Sequence, residues 1–314
     1  MADLDGECRL GVGHREKPRT AALQKCTAQG FCSCRVAWHD GNQEDAVPRK
    51  ENAMTTNETA RGQVPGNEGL AGRRAIVTGG GGGIGLACVR ALARRGAQVI
   101  VADRDEAAAS AAAAEVGGES WVVDLSDTRA LETLELSADI LVNNAGVQRV
   151  APIHEFDPQD WRLIHRLMLE APFLLIRAVL PGMYERDFGR IINISSAHGL
   201  IGSAYKSAYV AAKHGLEGLS KVTALEGAQH GVTSNCINPG YVRTALVERQ
   251  VADQAAAHSI PESEVIAKVM LTESPIKRLV EPEEVAELAA WLAAGPAAMV
   301  TGASYTMDGG WTAH

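Results

Sequence analysis

The chain has 314 residues, 46% of them apolar, and a formal net charge of −8 at pH 7. That is enough for one large domain or two ordinary ones with a sizeable core, and an acidic chain without a basic stripe argues against nucleic acid as the main partner. No apolar run reaches the roughly 20 residues of a membrane span, and the N-terminal MADLDGECRLGVGHREKPRT lacks a signal-type apolar stretch, so a cytoplasmic protein is expected.

Residues 1–68 are polar, glycine-containing and without apolar periodicity. They are expected to be a disordered extension that cannot bury enough surface to order itself. Met54 opens a second possible leader, MTTNETARGQVPGNEGL, which suggests a natural start there. Four of the six cysteines (Cys8, Cys26, Cys32 and Cys34) fall in this extension. Their spacing matches no standard zinc pattern, so no metal is expected. Cys88 and Cys236 lie in apolar contexts and read as buried thiols.

From about residue 69 strands and helices alternate. RRAIVTG is a short buried strand, followed by a helix from Ile84 to Arg95. QVIVAD is the second strand, with an alanine-rich helix near 105–115. SWVVD is the third strand and ADILVNNAG the fourth; the short link between them leaves room for a helix of two or three turns. A long helix is expected over 158–180, with Leu163, Leu167 and Phe173 as its buried stripe. GRIINISS, the helix 205–229, VTSNCINPG, the helix 283–294 and SYTMDGG complete the series. This order predicts an α/β domain over 69–314: a doubly wound, Rossmann-like fold with a seven-stranded parallel sheet and helices on both faces.

The long helix contains Pro172, which removes the donor for the carbonyl of Met168. A break is therefore expected there.

TGGGGGIG (Thr78–Gly85) joins the first strand to the first helix. Glycines there permit a tight turn and let a pyrophosphate approach the helix N-terminus. Asp103 ends the next strand, where a carboxylate bonds ribose hydroxyls and repels a 2′-phosphate, so NAD is expected over NADP. Downstream, Tyr209 and Lys213 of YVAAK share one helix face, and Ser196 lies thirteen residues before Tyr209. Moving a hydride to or from an oxygen-bearing carbon needs a proton moved at that oxygen. An ammonium near a tyrosine is expected to bring its pKa, ordinarily near 10, downward.

With the spacing T-G-x3-G-x-G, NNAG at 143–146 and Ser…Tyr-x3-Lys, the chain resembles the short-chain dehydrogenase/reductase family over about 70–314. The resemblance implies Tyr209 as acid/base, Ser196 as hydrogen-bond donor to the substrate oxygen, and Lys213 as modulator of Tyr209 and holder of the ribose. It implies that Thr78, Gly79, Gly83, Ile84, Gly85 and Asp103 hold NAD on one side. Asp124 and Leu125 lie near its adenine. Asn144, Ala145, Gly146, Tyr209 and Lys213, with Pro239, Gly240, Val242 and Thr244, hold its other half. Asn143 would brace the central sheet. In this family an asparagine usually stands where this chain has Met168, and the main-chain carbonyl there holds a water that links the lysine to solvent. The Met168 side chain reads as core packing.

Gln148, His198, Lys206 and Gln250 together form a cationic, amide-rich cluster suited to a carboxylate. AHGL, YKSAYVAAKHG, NPGYVRTALVERQ and DGGWTAH look like the D-3-hydroxybutyrate dehydrogenase group of the family. That likeness implies a carboxylate held by Gln148, His198, Lys206 and Gln250, with Tyr241 and Trp311 flanking a small methyl end. It also implies a lid over 243–275, a homotetramer packed through the helices 158–180 and 205–229, and oxidation of a short 3-hydroxy acid. Other substrates (a 3-oxoacyl thioester, a sugar or a polyol) and a non-enzymatic NAD-binding regulator, suggested by Met168, remain open at this point.

Overall fold

The computed structural model describes residues 69–313, apart from 246, 249, 250, 252–254 and 256–259. The expectations for residues 1–68 and for Gln250 lie outside the described residues.

Seven strands form one parallel sheet: β1 (Arg74–Thr78), β2 (Gln98–Asp103), β3 (Glu119–Val122), β4 (Ile140–Asn143), β5 (Gly189–Ile194), β6 (Val232–Pro239) and β7 (Ser304–Met307). Their order is β3-β2-β1-β4-β5-β6-β7. Side chains alternate across the sheet as a strand's period of two demands. Val77, Val142 and Ile192 join one apolar cluster with α1 (Gly83–Arg94) and α2 (Glu106–Val116). Ile76, Leu141 and Ile191 point to the opposite cluster. The central strands are buried on both faces, which explains their unbroken apolar runs. The order reverses between β1 and β4, and ligand crevices of open α/β sheets form at such a reversal, beyond the carboxyl ends of the strands.

Three local expectations are corrected. The helix between β3 and β4, α3 (Thr128–Leu131), is a single turn rather than two or three. The next apolar residues, Leu134 and Leu136, pack on the core from an irregular segment instead, and the Leu136 amide donates to the Ala178 carbonyl at 3.3 Å.

The expected long helix is two helices, α4 (Pro158–His165) and α5 (Ala171–Glu185), joined by a π-helical turn at Arg166–Glu170. The Ala171 amide donates to the Arg166 carbonyl, five residues back. Pro172 follows in the first turn of α5, where its missing N–H costs least. The break expected at Met168 is therefore present as a π-bulge, a feature often found at functional sites.

The buried stripe is also partly different: Leu167 packs against the core as expected, but other positions carry the burial. Ile164, Met168, Ala171 and Leu175 face inward, whereas Phe173 is 48% and Trp161 38% exposed. The extra residue of the π turn rotates the register, so a periodicity of 3.6 carried through it picks the wrong face.

Beyond β5 lie α6 (Ser207–Gly227), α7 (Glu262–Val265), a second π turn (Ile266–Met270) and α8 (Pro282–Ala293). The α8 helix carries a capping box between Glu281 and Glu284 and packs on the α1 side of the sheet through Val285, Ala289 and Leu292. Cys88 and Cys236 are buried free thiols. Burial pushes Cys88 up to about 12 and Cys236 upward as well. Among the described residues, no helix is long and apolar enough to cross a membrane.

Candidate active site

The glycine turn after β1 makes room for something held against the backbone. Gly79 and Gly83 adopt left-handed φ values of +61° and +52°. A Cβ at Gly85 would lie 2.0 Å from the Gly79 carbonyl oxygen, so no side chain fits there. Helix α1 starts from Gly82 with no side-chain cap, leaving its first amides available to an anion. The Asp103 carboxylate sits at the edge of this turn and accepts the amides of Gly81 (3.0 Å) and Asp105 (3.1 Å). Asp124 lies further along the same edge. The Ser126 hydroxyl, its amide and the nearby Arg104 and Arg166 lower the Asp124 pKa.

Not every residue of the expected set faces outward here. Thr78 is 1% exposed. Its hydroxyl donates to the Val142 carbonyl and accepts the amides of Asn144 and Ala145. It braces the end of β4 against β1. Leu125 packs in the apolar core. Asn143 donates to the Asn193 side chain at 2.9 Å, locking β4 to β5 as expected.

A cavity of about 590 Å³ opens beside the glycine turn, at the carboxyl ends of β4, β5 and β6. It brings together Ser196, Tyr209 and Lys213 with Ile84, Asn144, Gly146, Gln148, Pro239, Gly240, Val242 and Thr244. His198, Lys206, Tyr241 and Trp311 line it too, as do Val147, Val150, Ile194, Ser195 and Val247. The last five carry no polar side chain suited to chemistry apart from the Ser195 hydroxyl, and no spacing rule marks them.

Lys213 is 5% exposed. It donates to the Ile194 carbonyl at 2.6 Å and lies 5.7 Å from the centre of the Tyr209 ring. Burial lowers its pKa to about 8, opposed by Cys236 and Glu217. Desolvation raises the Tyr209 pKa, and the Ser196 hydroxyl pulls it partly back. Ser196 is thus a neighbour that favours the Tyr209 phenolate, and the Lys213 ammonium is turned to a main-chain carbonyl.

At the other end of the cavity, the Lys206 ammonium donates to His198 Nε2 at 3.1 Å. Burial and the Lys206 charge hold His198 down at about 4. His198 is therefore neutral at pH 7, with its proton on Nδ1. It positions Lys206 and adds no charge, so the expected cationic cluster carries a single cation among the described residues, Lys206. Tyr241 and Trp311 stack at 6.0 Å and 8°, and Trp311 meets His198 edge-on at 5.1 Å. Met168, read from the sequence as core packing, does both. It packs with Ile164, Ala208 and Ala212 and also lines the cavity. Its methyl lies 3.2 Å from where a Cβ on Gly146 would be.

Residues 73–255 match the family described as short chain dehydrogenase, more than half of the chain. The chain belongs to the short-chain dehydrogenase family. Among its relatives are the D-beta-hydroxybutyrate dehydrogenases of Cupriavidus necator and Rhizobium meliloti. Each is 44% identical, over 78% of this chain and 100% of the relative for the first and 77% and 99% for the second. A solved structure titled a putative 2-deoxy-D-gluconate 3-dehydrogenase from Agrobacterium tumefaciens, with bound NADP, superposes with a TM-score of 0.70. It is 34% identical and covers 79% of this chain and 100% of the other. Short-chain dehydrogenases are nicotinamide-dependent oxidoreductases acting on hydroxyl groups, and the glycine turn fits such a cofactor. The turn offers a side-chain-free cradle at Gly79 and Gly85, an uncapped helix N-terminus and the Asp103 carboxylate at its edge.

One residue that spacing rules did not single out in this dehydrogenase is Glu217, a carboxylate only 4% exposed and one helical turn past Lys213. The signal available was an acidic residue four positions past Lys213, which places it on the same helix face.

Proposed function

We propose that the chain oxidises a short 3-hydroxy acid, 3-hydroxybutyrate, to the 3-oxo acid with NAD. The observation that carries this reading is the Lys206 ammonium, poised on neutral His198 in the same cavity as Ser196 and Tyr209. A cation partly withdrawn from water favours a carboxylate end on the substrate. The stacked Tyr241–Trp311 pair lines the same cavity and offers apolar ring surface to the substrate's methyl end. Gln148 lines the same cavity and supplies an amide donor.

In this reading NAD, when bound, would supply the hydride acceptor for the carbinol carbon. The hydroxyl proton passes to the Tyr209 phenolate, and Ser196 donates to the substrate oxygen. Lys213 keeps positive charge beneath the ring and holds the ribose. Asp103 supports NAD, because a 2′-phosphate would meet a fixed carboxylate already anchored by two amides.

The test is turnover of 3-hydroxybutyrate with NAD, set against a 3-oxoacyl thioester with NADPH. The first pair is expected to react at least tenfold faster. In Asp103→Ala the preference for NAD over NADP is expected to fall by about tenfold or more. The opposite preference in the unmodified protein would overturn the substrate reading. NAD binding without turnover of any short hydroxy acid would favour a non-enzymatic regulator, the reading that Met168 suggests. A tetramer is proposed as well, supported by the exposed Trp161, Phe173, Val222 and Leu225 on the α4, α5 and α6 surfaces. A monomeric mass in light scattering would sink it.

A further inference from the structure

Glu217 is the least expected group in the interior of this protein. A buried carboxylate is costly unless paired and hydrogen-bonded, and this one is well satisfied. It accepts the Asn238 side-chain amide at 2.6 Å and the Ser304 hydroxyl at 2.6 Å. The same Asn238 nitrogen donates to the Ser196 carbonyl at 3.0 Å, and Asn238 is fully buried. One carboxylate on α6 thus ties β7 and β6 to the main chain of Ser196. Space for it exists because residue 199 is glycine: a Cβ there would lie 3.1 Å from Glu217 Oε1.

Glu217 is also four residues from Lys213 on α6, which places both on one face. The other titratable groups near Lys213 are Tyr209 on the same helix and Cys236 on β6. Lys206 and His198 stand beyond Tyr209, across the cavity. Burial keeps Cys236 a neutral thiol, and a buried phenol resists ionisation. Glu217 is the acidic neighbour with hydrogen-bond donors arranged at both carboxyl oxygens.

We propose that Glu217 is a positioning residue of the catalytic centre: its buried carboxylate sets the Asn238–Ser196 alignment and supplies the counter-charge that keeps Lys213 protonated. This rests on the reading that Lys213 works as an ammonium beside Tyr209. Without the carboxylate, Cys236 alone is left to oppose burial at Lys213, whose pKa already stands at only about 8.

The test compares the unmodified protein with Glu217→Gln, Glu217→Met and Glu217→Asp. Lys213 is titrated directly by the NMR signal of ε-carbon-labelled lysine, assigned by its loss in Lys213→Arg. In Glu217→Gln the Lys213 midpoint is expected to fall by about 1–2 pH units, and the alkaline limb of kcat moves down by the same amount. Glu217→Met fills the same volume without charge and gives the same shift should the amide disturb folding. Glu217→Asp keeps the charge and restores most of the midpoint. A midpoint that stays in place in both uncharged variants overturns the proposal, as does a uniform loss of kcat with no movement of the limb. If the unmodified protein oxidises no hydroxy acid, the substrate reading fails, yet the Lys213 titration still decides the role of Glu217.

Discussion

Tyr209→Phe is expected to lower kcat for 3-hydroxybutyrate oxidation by about 10²–10⁴-fold, the usual contribution of a positioned acid/base. Phenylalanine keeps the ring against His198, Met168 and Ala212 and removes only the hydroxyl. NAD affinity should therefore hold, as read by quenching of protein fluorescence. The pH dependence has a definite sign. The phenolate that accepts the proton becomes more populated as pH rises, so oxidation should speed up with pH on the acid side of its optimum, and that rise should vanish in the variant. A variant that keeps both its rate and this rise would remove Tyr209 from the mechanism.

Lys206→Ala is expected to raise KM for the hydroxy acid by about 10- to 150-fold, the worth of one hydrogen bond to a charged group of about 1.5–3 kcal/mol. The KM for NAD should stay put, because Lys206 lies at the far end of the cavity from the glycine turn. A second consequence follows from His198. Its pKa of about 4 reflects burial first and the Lys206 charge second. With Lys206 gone, the His198 pKa rises, and protonated His198 can supply some of the missing charge. Substrate binding by the variant should then strengthen as pH is lowered. Initial rates across a substrate series at several pH values measure both effects. An unchanged KM would mean that the carboxylate binds elsewhere.

The fold was legible because its signals are local and repeated. A strand buried on both faces shows as an unbroken apolar run, as in QVIVAD, which forms β2 over its whole length. The glycine turn and the Ser196, Tyr209 and Lys213 spacing were legible for a related reason. Close backbone approach tolerates only glycine, and a four-residue spacing on a helix sets two side chains side by side.

The misreadings share a cause of the opposite kind. Phe173 was assigned to the interior by carrying one helical period through residues 166–170, where a π turn shifts the register. The third helix, allowed two or three turns by the length of its link, is a single turn because Leu134 and Leu136 pack on the core from an irregular segment instead.

The sequence by itself determined the parallel sheet, the glycine turn and the spacing of Ser196, Tyr209 and Lys213, since each depends on neighbours along the chain or on one helix face. Only the tertiary structure decided the charge of His198, the two-sided role of Met168 and the place of Glu217. Those depend on burial and on partners from distant strands: Lys206 against His198, Gly146 against Met168, Asn238 and Ser304 against Glu217. Desolvation and through-space charge are set by what surrounds a group, and no spacing along the chain records them.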